Sequence, residues 1–281
     1  MKTKHLRLMQ RAYVILFFCF MYLPIAYMIV FSFNQSKGYA LFTGFTFKWY
    51  TSLLHNSAIL SALRVSLEVA LISAVIATVL GTAASLGIAS MSRKSRLVVT
   101  NITYIPVVNP EIITGISLML LFVAYQRFAE GVSWLPDTIM GFPTLLIAHI
   151  TFNLPYVILN VMPKLQQMDK DLVEAALDLG CTPFQSFTKV VIHEIMPGII
   201  SGALMAFTMS LDDFVISYFV TGSSFITLPV EIYNYTKKPI QPKIYALFTL
   251  MFIVILVLMV VMNLLQAKSE KNRQQPRRVR A

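Results

Sequence analysis

Three carboxylates, Glu111 and the adjacent Asp212 and Asp213, interrupt stretches of this chain that are otherwise free of charge. In a bilayer each would cost roughly 2.5 to 3.5 kcal/mol on insertion scales, and carboxylates at that depth usually face a pathway. Their chemistry would be that of fixed counter-charges along the route of a cation, the alternative being a structural pair with a neighbouring helix. Successive residues of one helix point about 100° apart, so at most one of Asp212 and Asp213 would face a lumen directly. Glu68 lies one turn from Arg64 and can pair with it at a helix end. Trp49, next to Tyr50, could receive an ammonium over its ring or anchor an outer amphipathic segment at the membrane interface.

Catalytic constellations are missing from the same inventory. The four histidines (His5, His55, His149 and His193) lack the spacing that sets two ligands on one helix face, so no metal site is expected, and His149 reads as a helix-packing polar residue. Cys19 and Cys181 give no expectation of a disulfide. Ser210, beside Asp212, has no matching histidine. No GxxxxGK[ST] loop occurs, so the chain is expected to bind no cofactor, and any ATP chemistry would have to come from a partner.

The elements that must position these residues follow from composition. The chain has 281 residues, 57% hydrophobic and 13% charged, more apolar surface than one soluble core of this size buries. Uncharged or nearly uncharged runs extend over Ala12 to Phe33, Val69 to Ser92, Leu97 to Gln126 (broken by Glu111), Thr138 to Pro163, Ile195 to Val230 (broken by Asp212 and Asp213) and Ile244 to Ala267. A helix needs about 20 residues to cross the hydrocarbon, so an all-α integral membrane protein of about six transmembrane helices is expected. The first run is too long for a secretory signal and is kept as an uncleaved helix. Pro106, Asn109 and Pro110 should break the third span near mid-membrane, making either a pathway wall or a packing kink, while Pro24 and Pro155 read as kinks.

The formal charge of +10 would suggest nucleic acid in a soluble protein. Here the cations gather at helix ends and tails, with no basic stripe interleaved with aromatics, and nucleic acid is not an expected partner. With the N-terminus inside, 16 of the 23 Lys and Arg fall on cytoplasmic segments and 6 on outer loops, with Arg64 at the mouth of the second helix. That asymmetry places both termini in the cytoplasm. The organisation is then an N-terminal tail (1–11), a single membrane domain (12–267) and a basic tail (268–281) that can touch anionic lipid.

The one long cytoplasmic loop is the most informative stretch. Asp169 can cap a short helix in which Leu172, Ala175, Ala176 and Leu179 share one face, while Asp171, Glu174 and Asp178 share another. Two turns of helix are too short to stand alone in water, so the apolar face needs a groove and the acidic face a basic partner. Gly180 suits a left-handed helix end, and Thr182-Pro183 suits the start of the next helix. A helix–Gly–helix hook over about 168–195 is expected.

This stretch resembles the coupling loop of ABC importer permeases, with Glu174-Ala175-Ala176, Gly180 and Val190-Val191-Ile192 matching by type and spacing. It departs at His193, where the family has proline. The wider resemblance is to the spermidine/putrescine permeases of the PotC and PotI kind, through Tyr22 to Ile25, Ser32 to Asn34, Gly44 to Tyr50, Pro110 to Leu118 and Ser210 to Gly222. It implies the ABC importer permease (MetI-like) architecture in a bacterial plasma membrane and polyamine transport. It also implies a second homologous permease subunit, an extracytoplasmic substrate-binding protein and two ATPase subunits carrying ATP and Mg. Asp171, Glu174, Ala175, Ala176, Asp178 and Gly180 would couple to those ATPases; Asp212, Asp213, Glu111 and Trp49 are the pathway candidates. Two other readings stand beside this one: an ATP-independent secondary transporter or channel for small cations, which leaves the hook unexplained, and an ABC permease for another small solute.

Overall fold

The computed structural model describes residues 2–36, 41–129, 140–169, 171–222, 225–237 and 242–274. Lys37, Lys170 and Lys238 of the charge count, and residues 275–281 of the basic tail, lie outside them. The described residues form helices α1 (Lys2–Phe31), α2 (Lys48–Leu54), α3 (Ser57–Ser90), α4 (Arg93–Val108), α5 (Glu111–Ala129) and α6 (Phe142–Gln167). They continue as α7 (Asp171–Asp178), α8 (Pro183–Ser186), α9 (Ile192–Leu211), α10 (Val215–Val220), α11 (Leu228–Thr236) and α12 (Pro242–Gln274). Among the described residues, six stretches are helical, long and apolar enough to cross a membrane: Met9–Phe31, Ser57–Ser90, Glu111–Ala129, Phe142–Gln167, Pro183–Leu211 and Pro242–Val261. Helices α1 and α12 extend into the segments assigned to tails, and Pro24 and Pro155 sit inside continuous helices.

Two apolar runs divide differently from the expectation. Leu97 to Gln126, read as one span broken at mid-membrane, is two helices, and only α5 is apolar enough to cross. Helix α4 tolerates Pro106 and ends at Asn109, which turns extended before Pro110, as a residue preceding proline tends to do. Ile195 to Val230 is likewise interrupted, because α9 stops at Leu211 and the chain restarts as α10. Charged and cyclic residues end these helices at positions that uniform hydropathy cannot show.

The chain divides into two compact units, Met1–Leu60 with Glu231–Val261, and Ser61–Val230 with Met262–Ala281. In the first, Asn34 organises the turn after α1. It forms an antiparallel bridge with Phe45, its Nδ2 donates to Leu41 O (2.9 Å), and its Oδ1 accepts from Thr43 N (2.9 Å). Trp49 of α2 closes that turn.

The second unit is built around α6, which packs closely on α9. A Cβ at Gly198 would stand 2.8 Å from Asn160 O, and one at Gly202 would stand 3.2 Å from Val157 Cα. Gly81 of α3 meets Val157 from another side, at 2.7 Å for an added Cβ. Small residues at these crossings bring backbones into van der Waals contact, the main source of helix association where lipid and side chain are equally apolar. Ala74, Ala77, Val157, Val161, Ile195 and Ala206 fill one cluster. A second joins Val65, Val69, Phe122, Leu145, Ala148, Phe152, Ile216 and Val220.

Candidate functional site

The adjacent carboxylates occupy a gap between helices, so the 100° rule of a continuous helix does not apply to them. Asp212 caps the C-terminus of α9, its backbone N–H donating to Thr208 O (3.3 Å), and its side chain is exposed. Asp213 turns inward and is buried. Its Oδ1 accepts from Ile216 N (3.2 Å) and its Oδ2 from Ser217 N (2.7 Å), satisfying two of the orphan donors at the start of α10. The sequence singled out both acids and expected at most one to face a lumen, without choosing between them. The structure gives Asp213 two backbone donors and leaves Asp212 open.

Glu111 is exposed in the first turn of α5, where the helix dipole favours a carboxylate. It lies within electrostatic reach of Asp212 and of Tyr156 on α6. Tyr156 is absent from the candidates drawn from sequence, since a tyrosine in an apolar run carries no signal by itself. Glu68 pairs with Arg64 at 2.7 Å, as their spacing implies, and both side chains are substantially exposed.

Trp49 belongs to a different environment from these acids. It is buried, and its indole N–H donates to Asn34 O at 2.7 Å. Ser32 Oγ and Tyr50 Oη lie 2.7 Å apart beside it. The indole thereby fastens α2 against the end of α1, in keeping with the anchoring alternative read from sequence.

From sequence His149 reads only as a packing residue and Ser210 as lacking a histidine; the structure corrects the second reading by bringing the two together across α6 and α9. His149 is fully buried on α6, with Nδ1 2.5 Å from Ser210 Oγ, Nε2 3.0 Å from Ser217 Oγ and Nε2 3.6 Å from Asp213 Oδ2. Ser210 Oγ also lies 3.0 Å from Ser73 Oγ of α3. A polar network thus fills the interior directly behind the break that carries Asp212.

The hook forms as its residue types dictate. Asp171 N donates to Asp169 Oδ1 (3.1 Å) at the start of α7. At its other end Gly180 has φ +86°, Gly180 N donates to Leu177 O (2.9 Å) and Cys181 N to Ala176 O (3.0 Å). That pair of bonds is a Schellman ending, which needs a left-handed residue and so favours glycine. Thr182 then opens α8 by a reciprocal exchange with Gln185 (3.1 and 3.3 Å), with Pro183 in the first helical position. Residues Phe187–Val191 form a π-helical turn leading into α9. Of the expected apolar face only Ala176 is buried; Leu172, Leu177, Leu179 and Phe184 are exposed, the last two by 86% and 74%. Asp171, Glu174 and Asp178 are exposed as well.

Six apolar spans, an exposed acid at a helix break and an amphipathic hook between two spans define a helical membrane transport subunit. The model of the binding-protein-dependent transport system inner membrane component family matches residues 77–274, and this chain belongs to that family. It is a multi-pass inner-membrane protein. It is 38% identical over 262 residues to the putrescine transport system permease protein PotI of Escherichia coli (strain K12), covering 92% of this chain and 91% of that one. It is 33% identical over 248 residues to the spermidine/putrescine transport system permease protein PotC of the same strain, covering 88% and 90%. Its fold is similar to that of a bacterial ABC transporter for the acidic polysaccharide alginate, with a TM-score of 0.74 at 16% identity over 95% of this chain and 96% of that one. The all-helical permease architecture is shared across that distance.

Proposed function

We propose that this chain is a permease subunit of an ATP-driven importer of polyamines, working with a second permease subunit, two ATPase subunits carrying ATP and Mg, and an extracytoplasmic binding protein. The observation that carries the substrate class is the exposed Asp212 within electrostatic reach of Glu111. Two carboxylates at helix ends offer a polyamine separate counter-charges, matching a ligand whose ammonium groups are spaced along an apolar chain. The similarity to PotI and PotC supports the same class.

The hook supports the energy source. Its exposed leucines, Phe184 and three acids need an apolar groove rimmed by basic residues, which an ATPase subunit would supply. With both termini inside, as the cation asymmetry favours, the hook faces the cytoplasm. Closure of the ATPases on ATP then displaces the hook. Helices α6 and α9, which flank it and pack through Gly198 and Gly202, move with it, and the acids change the side to which they are open.

The test is uptake of labelled putrescine and spermidine by cells with and without this chain, and with Asp212→Asn. Loss of uptake on deletion and about tenfold slower uptake by the variant at unchanged chain abundance are expected. Unchanged uptake in both would overturn the polyamine reading.

A further inference from the structure

Six polar side chains from four helices and the gap between two of them meet in the interior behind the α9–α10 break: Ser73, His149, Asn153, Ser210, Asp213 and Ser217, all buried. His149 is central to them. From α6 it reaches the last turn of α9 through Ser210 (2.5 Å) and the first turn of α10 through Ser217 (3.0 Å), while its Nε2 stands 3.6 Å from the Asp213 carboxylate. Asp213 in turn holds two N–H groups of α10. Ser73 ties Ser210 to α3 (3.0 Å), and Asn153 Nδ2 donates to Ser73 Oγ (3.4 Å). Both sides of the break are thereby fastened to one rigid helix.

Such an arrangement is a poor way to gain stability. Buried polar groups give up water, and apolar replacements of similar volume are often as stable or more so. What the network does provide is a fixed geometry, because each member has at least one directed contact, Asn153 through its Nδ2 alone, and the low dielectric penalises any other placement. The geometry it fixes is that of a chain turned so that Asp213 points in and Asp212 points out. The network also stands at one end of a lever. His149 lies 18 residues before Gln167, the last residue of α6 ahead of the hook, about 27 Å along a helix.

We propose that His149, with Asp213, is a positioning residue for Asp212: it clamps the α9–α10 break to α6 so that the Asp212 carboxylate is presented to the transported cation and moves with the helix that runs into the hook. This rests on the reading of Asp212 as a pathway residue. His149 itself touches no cation.

The test is a double-mutant cycle on the whole transporter reconstituted with its partners, with ATP-driven putrescine uptake expressed per assembled complex. Asp212→Asn and His149→Ala are each expected to slow uptake about tenfold, and the double variant no further, because a carboxylate already lost cannot be misplaced. Roughly a hundredfold loss in the double variant, or full uptake by His149→Ala, overturns the clamp. If His149→Ala fails to assemble, Ser210→Ala and Ser217→Ala each release one side of the break and are judged by the same criterion. A second readout is the modification of Asp212→Cys by a cationic methanethiosulfonate reagent, with Cys19 and Cys181 changed to Ser. Adding His149→Ala should alter its rate about tenfold, whereas a residue that only adds stability would leave it unchanged. Should Asp212→Asn transport normally, the pathway reading fails and the positioning role fails with it; a hundredfold double loss leaves that reading intact and removes only the clamp.

Discussion

The interior behind the α9–α10 break and the hook at residues 168–195 invert one another. In the first, His149, Asn153 and Asp213 are polar and buried among apolar helices. In the second, Leu172, Leu177, Leu179 and Phe184 are apolar and exposed beside three exposed acids. Each region departs from what its surroundings favour, and for opposite reasons. Buried polar groups hold one geometry because they have fixed partners inside the chain. Exposed apolar groups on a two-turn helix have no apolar cover among the described residues, which fits the partner contact proposed for the hook. Substitutions should therefore act on both stability and site geometry in the first region and chiefly on function in the second.

The sharpest way to break this contrast is Asp213→Ala, which strips two backbone N–H groups of a buried acceptor and removes the carboxylate 3.6 Å from His149. A loss of about 3 to 5 kcal/mol is expected, seen as lowered melting temperature of the purified subunit. A small change would mean that water replaces the carboxylate and the network is not dry. Next in size is Gly180→Val, where φ is +86° and a side chain costs about 1 to 2 kcal/mol locally. Uptake should fall while chain abundance in membranes stays normal, and parallel loss of both would show that the hook is needed for folding. Leu179→Ser then separates the two regions most cleanly. A residue 86% exposed should change stability by less than about 0.5 kcal/mol, yet coupling between ATP hydrolysis and uptake should weaken. Retained coupling would place the ATPase contact elsewhere. The smallest effect is expected for Glu68→Gln, since water screens an exposed i,i+4 pair, and thermal unfolding should barely shift.

The two regions also differed in how far the sequence revealed them. The hook was legible because its determinants are local: an Asp cap, a helical apolar spacing, Gly180 where a left-handed residue is required, and Thr182-Pro183 to restart the helix. The six spans were legible for a similar reason, since length and hydropathy over about 20 residues decide whether a helix can cross. The network was not legible, because Ser73, His149 and Ser210 are brought together across 137 positions by packing. The division of labour between Asp212 and Asp213 was hidden for the same reason. It depends on α9 ending at Leu211, and hydropathy alone does not say whether Asp212 and Asp213 continue that helix or end it. The break of the third span at Asn109-Pro110 was legible, whereas its extent was not, because Pro106 is tolerated inside α4 and only α5 is long and apolar enough to cross. The anchoring of Trp49 on the carbonyl of Asn34 was not legible either, since the partner is a backbone atom 15 positions away.

The most direct test of the account is putrescine uptake into proteoliposomes holding the complete transporter and its binding protein, with and without ATP inside. The account predicts accumulation that requires ATP and is abolished by Glu174→Lys in the hook. Equal uptake without ATP, or full uptake by that variant, would contradict it.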